Sequence, residues 1–174
     1  LQRARFLPAI ALIKQNTDIV NVDSGVDYRL RHLEQAELFH FPLNEESEKS
    51  LRESFKALTH NSTRAIENDE LIIENRTIRA LRTCDDVAWF DFRELCDGPR
   101  SQNDYIELGK IFNAVILSGV EQMDVKTDDI ARRFINMVDE FYDRNVKLII
   151  SAEVELKDLY TGGRLNFEFQ RTLS

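Results

Sequence analysis

The segment from Lys126 to Val154 constrains the fold most, because its hydrophobic period changes once and abruptly. Ile130, Phe134, Val138 and Phe141 recur at steps of four, four and three, the spacing of one helical face. Ala131, Ile135 and Tyr142 widen that face, while Asp128, Asp129, Arg132, Arg133, Asn136 and Glu140 are expected to point elsewhere. Lys147-Leu148-Ile149-Ile150 then drops the helical period, and a short apolar run rich in β-branched residues suits an interior strand. Ser151-Ala152-Glu153 places polar groups at the carboxyl end of that strand, where open α/β sheets tend to hold ligands. Ala114-Val115-Ile116-Leu117 supplies a preceding strand, so residues 114–150 read as a parallel β-α-β unit.

The rest of the chain extends this α/β pattern. Phe6, Leu7, Ile10 and Ile13 mark a helix ending near Gln15, residues 18–23 a strand, and Ser24-Gly25 a turn. Glu37 to Phe41 reads as a strand stopped by Pro42. Asn44 is an N-cap, Glu45 and Glu46 complement the positive end of the helix dipole, and Leu51, Phe55 and Leu58 form the buried stripe. Residues 60–69 are polar and read as a loop. Leu71-Ile72-Ile73 and Ile78-Arg79-Ala80-Leu81, joined at Asn75-Arg76, read as a hairpin, followed by a strand from Val87 to Phe92. Ser101 and Asp104 match a capping box that opens a helix carrying Ile106, Leu108, Ile111 and Phe112. Residues 158–160 suggest a helical turn and Gly162-Gly163 a break. Trp89 with Phe90 and Phe92 is either core or a binding patch, and alternation along the strand favours core.

With 174 residues, 43% of them hydrophobic and 31% charged, the chain has enough apolar content for a core. A net charge of −8 argues against a nucleic-acid-binding role. No run reaches the roughly 20 apolar residues that span a bilayer, so any membrane association is expected to be peripheral. Cys84 and Cys96 do not form a metal-like pair, and His32, His40 and His60 lack ligand spacing, so no metal site is expected. The sequence contains no glycine-rich phosphate loop ending in Gly-Lys-Ser/Thr. Arg132 and Arg133 follow Asp128 and Asp129 by four residues, which fits surface ion pairs worth ~0.3–0.5 kcal/mol as well as it fits a functional role. The start at Leu1 without Met and the end at Ser174, where a helix begins, read as a piece of a longer protein.

Several segments resemble the AFG-like ATPase family in its bacterial cell-division form. They are Leu1-Gln2-Arg3-Ala4-Arg5-Phe6-Leu7-Pro8-Ala9-Ile10, Asn21 to Arg29, Phe92 to Cys96, Ser101 to Tyr105, Ala131 to Ile135, Val138 to Tyr142, Ser151-Ala152-Glu153 and Phe167 to Arg171. The resemblance implies the C-terminal portion of an AAA+-like P-loop ATPase. Residues 1–33 would be the tail end of the ATPase core. Residues 34–174 would be a C-terminal α/β domain with a β-rich section at 34–98 and a β-α-β section at 101–153. It implies a parent ATP hydrolase that uses ATP and Mg²⁺, both bound mainly by a part preceding Leu1, so this chain alone is expected to be inactive. Arg3 stands where the family places a candidate arginine finger, with Arg5 as the weaker candidate, and Arg132 and Arg133 are candidate nucleotide sensors. The implied partners are an FtsZ-like, tubulin-like division protein and a second copy of the chain. The implied location is the cytoplasm, at the division site near the inner membrane. Ser118-Gly119 stand where Asp-Glu would hold Mg²⁺ if residues 114–150 echoed a catalytic half, and the plainer reading is a generic β-α-β unit. A non-catalytic interaction module that recognises its partner through residues 34–98 is the alternative function.

Overall fold

The computed structural model of the chain describes Gln15 and residues 38–172. The expected helix over 6–15, the strand at 18–23, Arg3 and Arg5 lie outside the described residues, apart from Gln15, which is helical. The elements are β1 (Phe39–His40), α1 (Glu45–Leu58), β2 (Ile66–Ile73), β3 (Arg76–Cys84), β4 (Val87–Asp91), α2 (Phe92–Cys96), α3 (Gln102–Ile111), β5 (Ala114–Val120), α4 (Asp128–Asp143), β6 (Lys147–Ala152) and α5 (Asn166–Thr172). Short 3₁₀ turns at Val125–Thr127 and Leu156–Asp158 follow β5 and β6.

The described strands make one six-stranded sheet in the order β1-β6-β5-β4-β3-β2. β1, β6, β5 and β4 run parallel, and the β2–β3 hairpin continues the sheet antiparallel beyond β4. This is the expected mixed α/β sheet, and its β5-α4-β6 portion is the expected parallel unit.

The apolar runs of the parallel strands follow from burial on both faces. Val87, Trp89, Ala114, Ile116 and Ile149 meet Leu51, Phe55 and Leu58 of α1. The intervening Ala88, Phe90, Val115, Leu117 and Ile150 meet Phe92, Leu95, Tyr105, Leu108, Phe134 and Phe141 from α2, α3 and α4. Each fully buried side chain of this size contributes roughly 1.5–3 kcal/mol. Trp89 therefore belongs to the core, and Arg82 lies over its ring and that of Phe55, 5.8 and 6.0 Å from the centroids.

The expected N-cap at Asn44 and the expected capping box at Ser101 both form, the first as a capping box of its own. Asn44 Oδ1 accepts from Ser47 N at 2.9 Å while Ser47 Oγ accepts from Asn44 N at 3.1 Å. Asp104 accepts from Ser101 N at 2.6 Å, yet capping is the smaller part of its role. Its side chain is fully buried, and one Arg76 guanidinium nitrogen donates to both carboxylate oxygens at 2.8 and 2.7 Å. Arg76 also donates to the Pro99 carbonyl at 2.6 Å, so one cation ties the hairpin turn, the 97–101 loop and the start of α3 together.

Four local expectations need correction. β2 begins at Ile66, inside the stretch expected to be loop, because an edge strand facing water needs no apolar alternation. The expected strand over 37–41 shortens to the two residues of β1. Tyr142 is 81% exposed, since the helical stripe narrows at its last turn. Glu140 is buried, because Gln102 of α3 donates to it at 2.5 Å and Arg144 forms an ion pair with it.

Replacing Arg76 by Ala leaves the Asp104 carboxylate buried without its cation. Discounted for the partial exposure of Arg76, the loss is about 2–4 kcal/mol. Urea unfolding of the wild type, Arg76→Ala and Arg76→Lys checks this, with Lys restoring part of the loss. Burial pushes the Cys96 thiol and the Tyr105 phenol up, and Tyr105 also donates to the Leu95 carbonyl at 2.8 Å. Because the folded state favours both protonated forms, their stabilisation is complete below about pH 8.5–10, where the unfolded groups ionise, and is lost above it. The urea midpoint is expected to fall as pH rises from about 9 to about 11, and Tyr105→Phe to flatten that fall.

Candidate functional site

The carboxyl ends of the parallel strands open into a cleft of about 250 Å³ lined by Leu43, Asn44, Ser47, Glu48, Asp91, Ser118, Gly119 and Ser151. β4 delivers Asp91, whose Oδ1 accepts from Arg93 N at 2.9 Å and so caps α2. β5 delivers Ser118, which accepts from Trp89 Nε1 at 3.0 Å and donates to the Phe90 carbonyl at 3.3 Å. The register of β5 against β6 shifts between Leu117 and Val120. Gly119 sits in that irregularity at φ +77°, where a side chain is strained, and its N–H donates to Ser151 Oγ at 3.1 Å. The rim carries Arg93, which binds the Glu121 carboxylate, and this partner raises its pKa further. Gln122 N donates to Glu153 Oε2 at 3.0 Å.

This chemistry does not fit a nucleotide triphosphate. Among the described residues the cleft is lined by the carboxylates of Asp91 and Glu48 and by no Lys or Arg. The amide of Gly119 is taken by Ser151, and the amide of Ser47 by Asn44. Three acids, Glu45, Glu46 and Glu48, already occupy the first turn of α1. Among the described residues no group of three or more His, Cys, Asp or Glu is placed to hold a metal ion.

The two candidate sensors lie on α4 and do not line this cleft. Arg133 pairs with Asp129 at 3.1 Å and donates to the Cys96 carbonyl at 3.0 Å, which fastens α4 to α2. Arg132 is exposed, and Asp128, its expected partner, instead accepts from the Tyr160 hydroxyl at 2.5 Å. Asp91, Ser118 and Ser151 have no motif in sequence. The signal for them is a serine and a glycine ending an otherwise apolar strand.

The AFG1-like ATPase family model matches residues 1–174. The chain belongs to the AFG1-like ATPases. It is 47% identical over 174 residues to the cell division protein ZapE of Escherichia coli strain K12, covering 100% of this chain and 46% of that protein. It is 31% identical over 172 residues to lactation elevated protein 1 homolog B of Danio rerio, covering 98% of this chain and 34% of that protein. The chain thus spans less than half the length of these curated relatives. No solved structure matches it. In this AFG1-like chain no helix among the described residues is long and apolar enough to cross a membrane.

Gly119→Ala is expected to cost about 1–2 kcal/mol, because its backbone is left-handed. Ser151→Ala removes the partner of the Gly119 amide and is expected to cost about 1 kcal/mol. Chemical denaturation of the two variants and of the pair checks both values. The pair is expected to be less than additive, because both act on one bulge.

Proposed function

We propose that this chain is one portion of an ATP-hydrolysing cell division protein similar to ZapE, and that it couples turnover to an FtsZ-like division protein. The observation that carries the reading is the match to that relative and to the AFG1-like ATPase family along all 174 residues. ATP and Mg²⁺ are held mainly by polypeptide outside these residues, and the chain alone turns over no ATP. The cleft chemistry supports this division of labour, since its carboxylates repel phosphate and its amides are already used. The protein works in the cytoplasm at the division site.

Arg3 acts as the arginine finger, in trans within an oligomer, and Arg5 is the second candidate. A guanidinium stays charged and binds phosphate in a bidentate manner, and a finger of this kind is worth roughly 10³–10⁵ in rate in GTPases. Of the two sensor candidates Arg132 is the better placed. It is exposed and has no ion-pair partner among the described residues, whereas Arg133 is committed to Asp129 and Cys96.

In the complete protein, Arg3→Ala is expected to cut ATP turnover by at least about tenfold without weakening ATP binding. Mixing with a phosphate-loop-dead subunit should restore activity. Phosphate release assays across protein concentration check this, and unchanged turnover removes Arg3 from the mechanism. The purified chain should release no phosphate above a contaminant control, and measurable turnover by it overturns the proposed division of labour.

A further inference from the structure

β2 is a sheet edge among the described residues, and what blunts it is its acidic side chains and the left-handed Asn68 at φ +51°. It is eight residues long and contains no proline and no lysine. In an antiparallel pair with β3, alternate residues of β2 turn their backbone N–H and C=O away from the sheet. Ile66 and Ile72 are 55% and 69% exposed on this strand, and Leu81 on β3 is 39% exposed beside them. These side chains gain nothing from the fold by standing in water.

The charge of the strand selects what can cover it. Glu67, Asp69 and Glu70 lie along β2 and Glu74 follows in the turn. Arg82 and Arg79 pair with Glu67 and Glu70, while among the described residues Asp69, which accepts from Thr83 Oγ1 at 2.6 Å, and Glu74 have no cation, in a chain of net charge −8. A second copy added antiparallel about the middle of Ile66–Ile73 sets Asp69 against Glu70, and directly opposed like charges destabilise a sheet. A basic segment meets no such penalty.

We infer that β2 is a docking edge for an extended, lysine- or arginine-bearing segment of a partner protein, which adds as a further strand. Backbone hydrogen bonds supply the register, Ile66 and Ile72 supply apolar contact, and the acidic positions favour the basic sequence. The inference goes beyond the proposed ATPase coupling and stands without it.

The test uses the complete protein with a short peptide alternating Val and Lys, and a Val–Glu peptide for comparison, followed by fluorescence anisotropy and amide hydrogen exchange. The Val–Lys peptide is expected to bind, to weaken with added salt and to protect β2 amides. Ile72→Lys, at a solvent-exposed position, should weaken it by at least roughly tenfold. Phe167→Ala, on the distant α5, should leave binding unchanged. Equal binding of both peptides, protection outside β2, or no binding overturns the inference. A concentration-dependent dimer that Ile72→Lys dissolves would instead assign the edge to a second copy.

Discussion

A carboxylate taken wholly out of water must be matched inside the protein, and the Asp104 side chain sets that requirement here. Its partner comes from the far side of the sheet's antiparallel extension, at the start of β3. Once Arg76 is drawn in, it also satisfies the Pro99 carbonyl and meets Ser101 Oγ at 3.1 Å. Arg100 follows the same logic one step away, donating to the Glu94 carbonyl at 2.8 Å and to the Glu94 carboxylate at 2.5 Å. The irregular stretch between α2 and α3 is thus held by charge-assisted hydrogen bonds where it has little apolar surface to bury. A hairpin that would be marginal on its own is anchored to the helical layer by the same groups.

The anchoring fixes the end of the sheet that carries the polar groups. β4 passes directly into α2 at Asp91, and β5 and β6 end in Ser118, Gly119 and Ser151, so three consecutive parallel strands terminate in short residues bonded to nearby backbone and to Trp89. The hydrogen bonds of this edge are internal, and its exposed ion pair, Arg93 with Glu121, bridges neighbouring strand ends.

The sequence made the architecture legible where local pattern and global environment agree. α4 and β6 were readable because the stripe of Ile130, Phe134, Val138 and Phe141 gives way to Leu148-Ile149-Ile150 with no ambiguous residues between. The starts of α1 and α3 were readable because an N-cap such as Asn44 and a capping box such as Ser101 with Asp104 are confined to a few neighbouring residues. The start of β2 was hidden, since Ile66-Glu67-Asn68-Asp69-Glu70 has the composition of a loop and becomes a strand only through pairing with β3. Glu140 looked solvent-exposed because its partners, Gln102 and Arg144, are contributed by tertiary structure and by the helix end. The cleft was readable only as a place, the carboxyl edge. Arg76 and Asp104 are 28 residues apart, and no local rule connects them.

The indole of Trp89 links these regions physically. It is the single tryptophan of the chain, stacked beneath the Arg82 guanidinium, edged by Phe55 of α1, and hydrogen-bonded through Nε1 to Ser118 at the cleft. Its polar and aromatic neighbours are one cation, one ring and one hydroxyl, set in the apolar cluster of Leu51, Leu58, Ile116 and Ile149. The protein therefore contains its own optical probe at the junction of α1, the hairpin and the strand ends. Any event that shifts α1 or reorganises the β5 edge changes the polarity around one indole, without a label and without background from a second tryptophan in these 174 residues.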